Sequence, residues 1–142
     1  MPMRRWLLSE GVLPRDARLL RLAVFVREQG FAKEFDELDG RATHVVLYED
    51  GVPLGCCRAF PSSVPGVWEI GRVCVSAEGR GHGAGSRLVH KAEEIARAAG
   101  ATTCAVSAQV RVLPFYEGLG YVAMGEEYLD EFCPHRHMEH EL

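Results

Sequence analysis

Residues 77–89 read AEGRGHGAGSRLV, with glycines at the alternate positions Gly79, Gly81, Gly83 and Gly85 and a helix-like run behind them. One or two glycines suffice for a tight turn. Four in alternation leave successive backbone N–H groups without a β-carbon to screen them. At a helix N-terminus such groups, aided by the helix dipole, make a seat for a phosphate or another anion. A P-loop would need Gly-Lys-Ser/Thr, which the chain lacks. A dinucleotide fingerprint is met in form by Gly79-x-Gly81-x-x-Ala84. Its ribose-binding acid is due about 20 residues on, and residues 101–109, ATTCAVSAQ, hold none, which disfavours an oxidoreductase. A third kind of cradle opens on an arginine, here Arg80, followed by Gly81, His82, Gly83, Ala84, Gly85 and Ser86.

Other side chains could also do chemistry. In the tail CPHRHMEH, residues Cys133, His135, His137 and Glu139 share one face of a strand. Three such ligands suit zinc, but alternate residues of one strand lie too far apart and point too nearly parallel for tetrahedral closure, so no metal is expected. His135 titrates in the range a general base needs, with His44 in reserve. The acidic loop with Glu34, Asp36, Glu37 and Asp39 reads as a solvated loop or as an attractor for a cationic amine, with Glu28 beside it. Arg27 and Arg72 would instead suit an anionic acceptor. The two readings imply opposite acceptor charge and both stay open.

The elements that must position these groups alternate strand and helix. A strand is predicted over 3–9, a helix over 14–30 with an apolar stripe through Leu19, Leu20, Ala23 and Val24, and strands over 42–50, 53–62 and 67–76. Asp50-Gly51 is a hairpin signal. The helix after the glycine run buries Leu88, Val89, Ala92, Ile95, Ala96 and Ala99 on one face, with Glu93 and Arg97 as an i,i+4 pair on its polar flank. A strand over 102–109, a short helix over 113–120 opened by Pro114, and two final strands follow. The strand–helix–strand unit around the glycine run should be parallel and right-handed. The 142 residues suggest one domain, spanning 1–142. A net charge of −4 is unlike a nucleic-acid binder. No apolar run approaches the ~18 residues of a membrane span, and the N-terminal stretch is a poor signal peptide. The five cysteines, an odd number mostly within apolar runs, read as reduced and buried in a cytoplasmic protein.

VCVSAEGRGHGAGSRLV resembles motif A of the GNAT acyl-CoA N-acetyltransferase superfamily, whose loop reads [QR]-x-x-G-x-[GA]; Arg80, Gly83 and Gly85 fill the fixed positions. QVRVLPFYEGLGY, residues 109–121, is similar to the second GNAT landmark, with Phe115, Tyr116, Gly120 and Tyr121 matching, Gln109 in place of Asn and Val112 in place of Ala. VFVREQGFAKEFDELDGRATH and CPHRHM resemble the ElaA-like and YjcF-like branch. The resemblance covers the whole chain. It implies an α/β fold of the GNAT type: a strongly twisted mixed sheet of six to seven strands, splayed between the fourth and fifth, flanked by about four helices. It implies acetyl-CoA as co-substrate and an acetyl group moved to a primary amine of a small molecule. The CoA diphosphate would lie on the amides of residues 81–86 beside Arg80. Val73, Cys74 and Val75 would offer backbone to the pantetheine arm, with Gln109 and Phe115 near the cofactor. Tyr116 would be the acid for the departing thiolate and His135 the base. Arg27, Glu28 and Arg72 are candidates for the acceptor. A non-catalytic acyl-CoA sensor and a protein acetyltransferase are the competing readings. A homodimer through the C-terminal strands is expected from relatives.

Overall fold

A run rich in β-branched and aromatic residues over Thr43–Glu49 forms strand β2, and the largely apolar stretch Val52–Pro61 returns beside it as β3. Asp50 and Gly51, at φ 51° and 80°, make the two-residue turn between them. The other strands are β1 (Arg4–Glu10), β4 (Val67–Val75), β5 (Thr103–Gln109), β6 (Val122–Asp130) and β7 (Cys133–Glu141); the α-helices are α1 (Arg15–Arg21), α2 (Ala84–Ala98) and α3 (Leu113–Gly118). The computed structural model describes residues 2–142. Its seven strands form one mixed sheet in the order β1-β2-β3-β4-β5-β7-β6, the expected α/β architecture.

The central strands are buried on both faces, and their alternation divides two cores. Val45, Leu47, Cys57 and Ala59 meet Leu88, Val89, Ala92 and Ala96 of α2 on one side. Val46, Tyr48, Cys56 and Cys74 meet Ala17, Leu20 and Val24 on the other. Each fully buried Leu or Val contributes about 1.5–3 kcal/mol of apolar transfer, so this stripe supplies most of what holds α2 to the sheet. Cys56, Cys57, Cys74 and Cys104 are buried and Cys133 is half-buried, all as free thiols. Gly55 lets α2 approach. A β-carbon there would lie 2.6 Å from the Cys74 carbonyl oxygen and 2.9 Å from Leu88 Cδ1. Gly55→Ala is expected to cost about 1–3 kcal/mol through overpacking, read as a lower urea midpoint at unchanged slope. An unchanged midpoint would mean that the contact relaxes freely.

Two local departures shape what lies above the sheet. The helix expected over 14–30 changes character half-way. After α1 the chain widens into a π-helical segment, Leu22–Glu28, and Gln29 N–H donates to Val24 O, five residues back. The wide turn reorders the stripe, so that Val24 and Phe25 are buried while Leu19 stays 47% exposed. Such segments recur at functional sites, and this one ends at Glu28 and Gln29. Second, β4 and β5 pair in parallel only from Val67↔Thr103 to Ile70↔Val106. Beyond Ile70, β4 has no partner on that side. Between the pairs Arg58↔Gly71 and Cys56↔Cys74, β4 also carries one residue more than β3, and this bulge holds Arg72 at φ 52°. The splay expected between the fourth and fifth strands therefore opens at Gly71.

One helical pair is not as expected. Glu93 does not face Arg97. It is buried and accepts a hydrogen bond from the Tyr121 hydroxyl at 2.7 Å, which ties α2 to the start of β6.

Candidate active site

The glycine run leads from β4 into α2 through a short 3₁₀ turn, Ala77–Gly79. Its glycines have separate reasons. Gly81 and Gly83 lie at φ 83° and 78°, where side-chain-bearing residues are strained, and a β-carbon would meet nothing close at either. Gly79 and Gly85 are instead packing positions, set against Ser76, Val75 and Leu54 and under the Phe115 ring. The first intrahelical bond of α2 is Arg87 N–H to Gly83 O at 3.2 Å. Among the described residues, no protein acceptor takes the N–H groups from Gly81 to Ser86. They form an open row of donors at the positive end of a 15-residue helix.

Arg80 stands at the edge of this row. Its Nε donates to Val75 O at 3.1 Å and its Nη2 lies 2.6 Å from Glu28 Oε1, so the π-helical segment and the glycine loop are bridged by an ion pair. Below it runs a cleft of about 640 Å³, lined by Val73, Cys74, Val75, Arg80, Glu28, Gln29 and Gln109 among others. This is the unpaired stretch of β4. Gln109 spans the cleft: its amide donates to Gln29 Oε1 and its oxygen accepts from Arg111 Nε, each at 2.8 Å.

A second cleft continues from the first, sharing Gln29, Phe31, Val73, Gln109 and Arg111 with it. Tyr116 and His135 both line it. The Tyr116 ring is buried against Phe115 and Tyr121, so it is itself an anchor of α3. Among the described residues its hydroxyl has no protein partner, and Arg58 Nε is there the one fully buried side-chain polar atom without one, so the hydroxyl opens on the cleft. Burial pushes the Tyr116 phenol well above its usual range and keeps it protonated. His135 Nδ1 lies 2.9 Å from the Cys133 carbonyl oxygen. A carbonyl only accepts, so Nδ1 is the donor, and in the neutral ring Nε2 is the nitrogen with the lone pair. Phe31 and Tyr128 flank the ring.

The acidic loop is only partly solvated. Glu34 and Asp39 are buried and, with Asp36, face three guanidinium groups. Arg21 reaches Glu34 Oε2 at 2.9 Å and holds Asp39 in a fork at 2.8 and 3.1 Å. Arg58 reaches Asp36 at 2.6 Å and Asp39 at 2.9 Å. Arg72 reaches Glu34 Oε2 at 2.9 Å and Asp36 at 3.3 Å. Burial alone would raise the Asp39 carboxyl; the hydrogen bonds and charges of Arg21 and Arg58 outweigh it and bring it down to about 2. At Glu34 burial wins, and its carboxyl is raised in spite of Arg72 and Arg21. The loop is thereby stapled to the bulge of β4, where it walls the cleft.

The expected site residues thus fall into groups. Val73, Cys74, Val75, Arg80, Glu28 and Gln109 line the larger cleft, and the row Gly81, His82, Gly83, Ala84, Gly85 and Ser86 follows directly on Arg80 without lining either cleft; Tyr116 and His135 meet in the smaller one. Arg72 lines the cleft, but its charge is spent on Glu34 and Asp36, so it is a structural ion partner first. Arg27 is exposed and lies outside the cleft walls. Phe115 covers Gly85 rather than either cleft. His44 is buried under the acidic loop and its Nε2 donates to Asp39 O at 2.9 Å, which makes it a structural histidine. On β7, His137 turns to Glu139 at 2.7 Å. Among the described residues no three His, Cys, Asp or Glu side chains gather as metal ligands would. No described helix is long and apolar enough to cross a membrane. Sequence reasoning placed Gln29 beside the acidic loop and offered Glu34 as an attractor for an amine; it missed Glu69 and Asp130 as cleft-wall residues, because each joins the wall only through long-range packing.

The family model for the acetyltransferase (GNAT) domain matches residues 14–142. The chain belongs to the GNAT family of acetyltransferases. It is a GNAT-type N-acetyltransferase of the branch that holds ElaA and YjcF. It is 34% identical over 127 residues to the "Uncharacterized N-acetyltransferase YjcF" of Bacillus subtilis (strain 168), covering 87% of this chain and 89% of that protein. The crystal structure of Escherichia coli ElaA superposes with a TM-score of 0.85 at 27% identity, over 98% of this chain and 100% of that one. An acyl-CoA N-acyltransferase from Pseudomonas aeruginosa gives a TM-score of 0.84 at 29% identity, over 97% and 99% of the two chains.

Proposed function

We propose that this GNAT enzyme moves an acetyl group from acetyl-CoA to a primary amine of a small molecule by direct attack on the thioester. The observation that carries this reading is the open row of N–H groups from Gly81 to Ser86, continuous with the unpaired edge of β4. The row suits a diphosphate, and the β4 edge suits an arm carrying two amides. The Pseudomonas relative, named an acyl-CoA N-acyltransferase, supports the same donor class.

The chain's own residues then have distinct tasks. The acceptor arrives as an ammonium of pKa about 10 and must lose a proton before it attacks. His135 Nε2, facing the cleft with its lone pair free, takes that proton. The amine nitrogen bonds to the thioester carbon, and the carbonyl oxygen becomes negative. A backbone N–H of β4 beyond Gly71 holds that charge. When the C–S bond breaks, the sulfur leaves as a thiolate to which the Tyr116 hydroxyl donates a hydrogen bond, and the proton that the newly bonded nitrogen sheds passes to that sulfur through this hydroxyl, leaving the amide, the CoA thiol and a neutral Tyr116. Burial of Tyr116 keeps the hydroxyl in the protonated form this needs.

The reading is tested by thiol release from acetyl-CoA with a panel of amines, alongside calorimetry of CoA binding. Gly83→Asp is a companion test. Asp tolerates the left-handed region better than most residues and suits the start of a helix, so the variant should fold. Its carboxylate would face the diphosphate at the positive end of α2. CoA affinity is expected to fall about thirtyfold, about 2 kcal/mol. Unchanged affinity would place the diphosphate elsewhere.

A further inference from the structure

We infer that the acceptor is a small di- or polyamine whose second ammonium is held by Glu69 and Asp130, at the far side of the splay from the glycine loop. The inference rests on the transferase reading above and deepens it. A third cleft, of about 350 Å³, lies on that side; it meets the cleft of Tyr116 and His135 along Ile70, Gly71, Arg72, Ser107, Asp130 and His135. Its charges can be matched off. Arg58 and Arg72 line it, but both are held by Asp36, with Asp39 and Glu34 sharing the load. His137 is turned to Glu139. Glu69 and Asp130 also line it, and among the described residues neither has an ion-pair partner. The arginines therefore offer little to an anionic acceptor, and the remaining side-chain charge of the cleft is negative.

His135 is an independent pointer to a ligand. It is 6% exposed and its Nε2 has no partner, yet that atom is not sealed off, so it faces the space where the clefts meet. An amine seated there is within reach of a base. Leu38, Phe60 and Tyr128 line the same cleft as Glu69 and Asp130, which suits a methylene chain between two ammonium groups. The polarity along the site agrees. Arg80 and Arg111 line the cleft on the glycine-loop side, where phosphates would enter, Lys33 lines the central cleft, and Glu69 lines only the third. Anionic donor and cationic acceptor would approach from opposite ends.

Three probes of one length separate the possibilities: 1,4-diaminobutane, butylamine and 4-aminobutyrate. Each is titrated into the protein saturated with CoA, by calorimetry, and assayed with acetyl-CoA by thiol release. The diamine is expected to bind and to exceed butylamine in kcat/KM by about tenfold, the worth of one charge-assisted contact. 4-Aminobutyrate should be the poorest. In Glu69→Gln/Asp130→Asn the diamine-to-butylamine ratio should collapse towards one, and circular dichroism checks that the variant is folded. CoA binding without diamine binding overturns this inference and leaves the transferase reading standing. Diamine binding without turnover supports the pocket and overturns the transferase reading. A preference for 4-aminobutyrate, an unchanged ratio in the folded variant, or a lysine peptide that outcompetes the diamine would each overturn the inference.

Discussion

Tyr116→Phe is expected to lower kcat by about 10²–10³ while CoA affinity stays within about threefold, because proton transfer by a placed acid is worth about 10²–10⁴. The substitution removes one oxygen and keeps the ring that packs against Phe115 and Tyr121. The hydroxyl makes no bond within the protein, so its loss strands no partner and the fold should hold. Stability and CoA binding are measured beside turnover. Equal losses in turnover and CoA affinity would make the residue a packing element. The chemistry adds a finer signature. A thiolate of low basicity needs the acid less, so an activated thioester donor should recover much of the lost rate.

Asp39→Asn is expected to destabilise the protein by about 1–3 kcal/mol, because each of two buried guanidinium groups loses one of its two carboxylates while Arg21 keeps Glu34 and Arg58 keeps Asp36. Asp39 accepts from Arg21 and Arg58, both almost fully buried. An amide presents one oxygen and turns a donor towards the guanidinium groups. The loss should fade as pH falls. Asp39 ionises at about 2 in the fold against about 3.9 when unfolded. A depressed carboxyl gives stability that is full above the unfolded value and is lost as pH drops through the folded one. Its share, about 2.6 kcal/mol, should therefore disappear progressively between about pH 5 and pH 1. Glu34 acts with the opposite sign: its raised carboxyl makes ionisation costly, and acid relieves that cost. Urea unfolding of wild type and variant at pH 7 and pH 3 measures the closing gap. A gap that widens in acid would contradict the assignment.

The parts of the site that were legible in the sequence are those written locally. The glycine run, the helix after it and the parallel strands on either side occupy one continuous stretch, and turn chemistry and helical period reveal them directly. Tyr116 was legible for the same reason, sitting in a short motif at a set distance from the loop. The ion network was not. Arg21, Arg58 and Arg72 belong to three different elements, and the loop from Glu34 to Asp39 meets them only once the sheet is ordered. A run of acids reads as solvated, and here two of them, Glu34 and Asp39, are interior. The π-helical segment was hidden because its composition is that of any amphipathic helix; only the spacing of buried positions betrays it. Glu93 shows how a local rule fails: Arg97 has the right spacing, but Tyr121, 28 residues away, takes the carboxylate. Glu69 and Asp130 are brought to one cleft by the placement of β6 outside β7, which no local pattern encodes.

A crystal structure of the protein with bound CoA tests the central claim most directly. The diphosphate oxygens should lie within hydrogen-bonding distance of several N–H groups between Gly81 and Ser86, the pantetheine amides should pair with β4 beyond Gly71, and the sulfur should end beside the Tyr116 hydroxyl. A diphosphate bound away from those amides, or a thiol end that never enters the cleft of Tyr116 and His135, would contradict the account.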